Sequence, residues 1–173
     1  MTGQDETAGE QRRVPCSTAG IRTLTSGQTG EAAAEFKKAL ALRPDYPEAQ
    51  GGLGSLLVQD GRLGEAIPLL LKSLQGAPQS VQTRANLALA LSMAGRPQEA
   101  IPHSHEAITL SNGQNLLALE LIGRLYAQTG RTGDAIVWTR RALDAAAKTG
   151  DQLLVEELRA RLATYEAAIA RSR

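Results

Sequence analysis

A four-fold skeleton constrains this chain more than any other feature. A Gly, an acidic residue four positions on and an Ala five positions on recur as Gly27/Glu31/Ala32, Gly61/Glu65/Ala66, Gly95/Glu99/Ala100 and Gly130/Asp134/Ala135. The steps between these glycines are 34, 34 and 35 residues. A fixed period of that length belongs to architectures in which small units stack, because each unit is too small to bury its own apolar face.

The spaces between the glycines carry helical periodicity. In residues 47–80, Leu53, Leu56 and Leu57 stripe a first helix, Asp60-Gly61 makes a turn, and Ala66, Ile67, Leu70, Leu71 and Leu74 stripe a second that ends at Pro78. Residues 81–115 repeat this with Leu87, Ala88 and Leu91, then Gly95, then Ala100, Ile101, Ala107 and Ile108. Pro97 suits a first helical position, whereas Pro68 and Pro102 lie a turn deeper and should weaken the helix or shift its start. Asn112-Gly113 replaces the closing proline and reads as a left-handed cap, the place for the extra residue of the 35-residue step. Residues 116–150 carry Leu119, Ile122 and Tyr126, the turn at Gly130, then Ala135, Ile136, Ala142 and Leu143.

The ends differ. Residues 1–12 are polar and aperiodic, the pattern of a disordered tail. Residues 13–46 hold a weak front helix through Cys16, Ala19, Gly20 and Thr23, a Gly27-Gln28-Thr29-Gly30 turn, and a firm second helix with Phe36, Ala39 and Leu40, stopped by Pro44. Residues 151–173 predict a capping helix. Asp151 is its N-cap, and Leu154, Leu158, Leu162, Tyr165 and Ile169 form its apolar side.

Composition narrows the function. Hydrophobic residues are 42% but aromatics only 3%, so the core is built of Leu, Ala, Ile and Val, which suits closely packed helices. Nineteen basic and eighteen acidic residues leave a net charge of +1, and residues 47–114 hold nine charged side chains. A phosphate-binding face needs many clustered cations, so neither nucleic acid nor an RNA-binding helical repeat is expected. Cys16 is the only cysteine, which excludes an internal disulfide and a thiolate cluster and is compatible with a reducing compartment. No apolar run signals a leader or a membrane span, so the expected location is cytoplasmic with no membrane partner. The excess of Arg over Lys, fifteen to four, points to a GC-rich bacterial gene.

Catalytic and cofactor signals are weak. His103 and His105 are two residues apart, on different sides of a helix, whereas helical metal ligands stand three or four apart. Both are read as plain helix-surface residues, with no metal and no cofactor expected. Gly51-Gly52-Leu53-Gly54 lacks the Gly-Lys-Ser/Thr of a phosphate loop and reads as close helix packing. Trp138 sits on a second helix, toward the convex side, and is expected to pack partly against its neighbours.

The landmarks together resemble the tetratricopeptide repeat, a 34-residue helix–turn–helix unit. The first helix's small residue is Gly20, Gly54, Ala88 and Gly123. The second helix opens on Ala32, Ala66, Ala100 and Ala135 and continues with Phe36, Leu70, Ser104 and Thr139 at the aromatic position. The later small residue is Ala39, Ser73, Ala107 and Ala142, and Pro44, Pro78, Asn112 and Ala147 close the units. The resemblance implies an all-α, right-handed α-solenoid of nine helices, with first helices lining a concave groove. It carries the groove onto Ser55, Val58, Gln59, Gln82, Ala85, Asn86, Leu89, Met93, Leu117, Glu120, Arg124 and Gln128. The family's clamp for a terminal carboxylate is missing, since Ser17, Ile21, Gly52 and Gln82 occupy its places. Its asparagine ladder survives only at Asn86. The expected function is non-catalytic binding of a protein or peptide segment in the groove. The alternative is a regulatory or oligomerising module of a separate or formerly fused enzyme, with a homo-oligomer as its mark.

Overall fold

The computed structural model describes residues 26–171, which form eight helices and no strand. They are α1 (Ser26–Leu42), α2 (Pro47–Gln59), α3 (Leu63–Gly76), α4 (Val81–Met93), α5 (Pro97–Leu110), α6 (Leu116–Gln128), α7 (Thr132–Thr149) and α8 (Gln152–Arg171). The tail, Cys16 and the expected front helix of the first unit lie outside the described residues. None of the eight helices is long and apolar enough to cross a membrane.

Helices α2 and α3, α4 and α5, and α6 and α7 pack as antiparallel hairpins, and each second helix also packs on the next first helix. Across units, α2 meets α4 and α4 meets α6, a stacking the second helices do not match. The first helices therefore form the inner layer of the arc. Two buried clusters make up the core. One centres on Leu53, Leu70, Leu87 and Leu91, the other on Ile108, Leu119, Ile122 and Leu158, and Ile101 packs against both.

The three turns between first and second helices are built alike. Gly61, Gly95 and Gly130 take φ values of 72°, 74° and 78°, the left-handed conformation that only Gly adopts without strain. The N–H of each following Arg closes back on the helix just ended, Arg62 to Leu57 O at 2.9 Å, Arg96 to Leu91 O at 2.9 Å and Arg131 to Tyr126 O at 2.8 Å. These bonds satisfy carbonyls that the helix end would leave open. The same Arg then clamps the acid three residues on. Arg62 donates Nε and Nη2 to Glu65 at 2.9 and 2.7 Å, Arg96 does so to Glu99 at 2.7 Å for both, and Arg131 reaches Asp134 at 2.8 Å. The hydrogen bond from Arg96 holds the Glu99 carboxyl below its ordinary range. This Arg is a repeat landmark visible in the sequence, one position after each of these glycines.

The first unit departs from that plan. The expected Gly27-Gln28-Thr29-Gly30 turn does not form, because α1 begins at Ser26 and runs through all four residues. Gln28 stands where the other units have Arg, so the bidentate clamp on the acid is missing there. Between units, loops 43–46 and 77–80 have four residues and loop 111–115 has five, which places the extra residue of the long step. Asn112 and Gly113 take φ values of 50° and 77° there. Helices α4, α6 and α8 start on side-chain caps: Ser80 accepts from Thr83 N–H at 3.3 Å, Asn115 from Ala118 at 2.8 Å and Asp151 from Leu154 at 3.1 Å, whereas α2 has no side-chain cap and opens on Pro47.

Helices cross where a Cβ is missing. A methyl added at Gly54 would lie 2.8 Å from Leu70 Cγ, and one at Gly123 would lie 2.6 Å from Thr139 Oγ1. Gly52 faces the Phe36 ring, and a Cβ at Gly51 would meet the hydroxyls of Ser73 and Thr83 at 2.9 Å. The glycine run in α2 thus receives α1, α3 and α4 on successive sides and is packing throughout. Gly54→Ala is expected to lower the unfolding free energy by about 1–3 kcal/mol. Combined with Leu70→Ala, its loss should fall short of the sum of the two single losses in urea denaturation. Additive losses would place the conflict elsewhere.

Pro68 and Pro102 neither shift a helix start nor break a helix, since α3 begins at Leu63 and α5 at Pro97. Both prolines are exposed, as are Gly64 and Gln98, whose carbonyls lose their helical partner to the proline and turn to water. Pro68→Ala and Pro102→Ala are each expected to raise the unfolding free energy by about 1–3 kcal/mol. Unchanged melting would show that the backbone has already relaxed around them.

Candidate functional site

The twelve positions expected to line a groove lie on α2, α4 and α6, and burial divides them. Ser55, Val58, Ala85 and Asn86 are no more than 6% exposed and belong to the packing between helices. Their polar atoms answer one another: Asn86 Nδ2 donates to Ser55 Oγ at 2.9 Å, and Gln82 Nε2 donates to Asn86 Oδ1 at 3.2 Å. Gln59, Met93 and Gln128 are exposed, while Gln82, Leu89, Leu117, Glu120 and Arg124 are half-buried.

Counting from the small residue of each first helix puts Ser55, Leu89 and Arg124 at one equivalent place, and Gln59, Met93 and Gln128 at another. Each set forms a row across neighbouring helices, whose axes lie about 8–10 Å apart. Along the first row the chemistry runs from a buried hydroxyl to an apolar side chain to a cation. Leu89 and Met93, four residues apart, share one face of α4, the middle of the three first helices α2, α4 and α6, and Met93 is 52% exposed.

A charged group occupies the C-terminal end. Glu120 of α6 lies 3.3 Å from Arg161 of α8 and 3.6 Å from Arg124. Arg161 also bonds Glu157 at 2.7 Å. Tyr165 stands beside them, its hydroxyl pushed above its ordinary pKa by burial and pulled back in part by Arg161 and Arg124.

The histidines are not the plain surface residues the sequence predicts. His105 is partly buried between α6 and α7. Its Nε2 lies 2.7 Å from Tyr126 Oη, and its ring meets those of Tyr126 and Trp138 edge-on at 6.0 and 5.1 Å. Arg131 caps the Tyr126 ring at 4.4 Å and Arg141 the Trp138 ring at 4.8 Å. Trp138 is thus partly packed. His103 is also half-buried, near Arg84, Glu99 and Glu106, with Nδ1 buried and unpartnered. The two rings do face different sides of α5. Sequence spacing could not show this, because Tyr126 and Trp138 lie on other helices. Among the described residues no cluster of three His, Cys, Asp or Glu could hold a metal ion.

Comparison with known proteins agrees with this geometry. The tetratricopeptide repeat family model matches residues 18–81 and 85–150. The chain belongs to the tetratricopeptide repeat family. Similar solved structures include MamA AMB-1, at 27% identity and a TM-score of 0.64 over 75% of this chain and 76% of that one. A crystal structure of MamA matches at 22% identity and a TM-score of 0.64 over 84% and 92% of the two chains. MamA from Desulfovibrio magneticus RS-1 matches at 20% and 0.63, over 70% and 68%. The last two likenesses, at such identities, speak for the fold alone. No curated protein matches the sequence.

In this tetratricopeptide repeat protein the His105 cluster joins the third unit to the fourth. Burial pushes the His105 imidazole below its ordinary value of 6.5, with Arg131 adding to the shift. Burial lowers His103 too, with Arg84 adding and Glu106 and Glu99 opposing. A histidine that binds its proton more weakly when folded favours the folded state above its unfolded pKa. That advantage is lost as pH falls from about 6.5 through the folded values. Urea-unfolding free energy is therefore expected to drop between pH 7.5 and 5.5, and His103→Gln/His105→Gln should flatten the slope. An unchanged slope would assign the effect to other groups.

Proposed function

We propose that the protein is a non-catalytic interaction scaffold that holds a peptide or protein segment in the groove of its inner helices. The observation that carries this reading is the pair Leu89 and Met93 on one face of α4. Among the described residues the other exposed large apolar side chains, Leu42, Leu71, Val137 and Leu153, lie on α1, α3, α7 and α8, whereas Met93 stands half in solvent on a first helix beside Leu89, which packs in part against the core. Flexible, polarizable Met adapts to varied partners, and an apolar patch rimmed by Gln59, Gln82 and Gln128 offers burial at its centre and hydrogen bonds at its edge.

The test is selection from a display library of random dodecapeptides with the full chain as bait. Enriched peptides are expected to bind the Leu89→Asp/Met93→Asp variant at least about tenfold more weakly, since a partner's apolar side chain would meet a charge. Both positions face solvent in part, so circular dichroism should show an unchanged helical spectrum. Equal binding by the variant would sink the groove assignment.

A further inference from the structure

The groove's polar groups are unevenly satisfied, and the imbalance identifies the partner's chemistry. At its N-terminal side Gln82, Asn86 and Ser55 bond one another, leaving little unmet polar demand. At its C-terminal side two guanidinium groups share the Glu120 carboxylate. Arg161 is the one it holds: it lies 3.3 Å from Glu120, bonds Glu157 at 2.7 Å, and its side chain is only 16% exposed. Arg124 has a single, longer contact of 3.6 Å to the same carboxylate. Its Nε–H is buried and has no acceptor, although the side chain as a whole remains 38% exposed.

A buried donor without an acceptor has lost its water and gained nothing in exchange, and for a charged group the loss is larger. A planar guanidinium in that condition is matched by a carboxylate, which takes two parallel N–H bonds. Glu120 does not supply them here: it meets both guanidinium groups through one oxygen, Oε1, and Arg124 only at 3.6 Å. The part of the side chain that stays exposed leaves a carboxylate an approach to the guanidinium, which turns Nε outward to complete the second bond, and the Tyr165 hydroxyl stands near as a further donor.

Resting on the groove reading above, we propose that Arg124 is the anion anchor of the groove, and that the partner is a peptide segment carrying an Asp or Glu carboxylate beside an apolar side chain. The spacing follows from the repeat. Arg124 and Leu89 hold the same place on neighbouring helices, so carboxylate and apolar group are separated by about one helix–helix distance, 8–10 Å. The carboxylate docks on Arg124 while the apolar side chain covers Leu89 and Met93. This anchor stands apart from the positions of the terminal-carboxylate clamp, which here hold uncharged residues such as Gly52 and Gln82.

The experiment uses the full chain and dodecapeptides enriched from the random library. Enriched sequences are expected to carry Asp or Glu near an apolar residue. By fluorescence anisotropy, Arg124→Gln should weaken binding about tenfold or more, and Arg124→Lys should keep part of the affinity. Changing the peptide's Glu to Gln should cost a similar factor against the native chain and little against Arg124→Gln, the signature of a direct pair. Enriched peptides without acidic preference, or equal binding by Arg124→Gln, would overturn the anchor. If Leu89→Asp/Met93→Asp still abolishes that binding, the groove stands and only the anchor falls. If neither variant matters, or no peptide is enriched, both fall.

Discussion

The close crossing of the two helices within each unit is the constraint on which the rest of the structure depends. Gly54 admits Leu70, and Gly123 admits Thr139, with no room for a Cβ between them. In the third unit Ala88 and Ser104 take the same two places, both fully buried. The larger partner thus varies with the space its opposite leaves, and packing density is kept while the side chains change. Bulk at this place falls from Leu70 to Ser104, where the Ala88 methyl takes up part of the room, and rises again at Thr139 opposite Gly123. Ser104 carries a residual penalty, since its buried hydroxyl has no hydrogen-bond partner.

What could be read from the sequence was what local chemistry decides. The turns at Gly61, Gly95 and Gly130, the Asn112-Gly113 cap and the Asp151 cap all act within a few residues, and each appears where the pattern placed it. The Arg after each turn glycine was equally visible, since Arg62, Arg96 and Arg131 repeat in phase with their acids. The misread turn at Gly27–Gly30 shows the converse: a glycine permits a break but does not require one, and without the Arg clamp the helix continues.

The candidate site was less legible because it depends on contacts between units. Nothing near His105 in sequence announces Tyr126, twenty-one residues away, or Trp138 beyond it. The family pattern assigned twelve positions to the groove without saying which would be absorbed by packing. Asn86 and Ser55, thirty-one residues apart, turn out to satisfy each other, whereas Arg124 and Arg161 compete for one acid. These distinctions arise only once neighbouring helices are set side by side.

Ile101 has a consequence for how the array comes apart. It lies on α5 and touches both core clusters, one built from α2–α4 with Ala100, Leu121 and Leu125, the other from α5–α8 with Ala85. In a linear stack, stability passes only between nearest neighbours. Ile101, shared by both clusters, therefore adds to the interlock that Ala85, Ala100, Leu121 and Leu125 already make, and favours opening of the two half-arrays as one cooperative body rather than as separate segments.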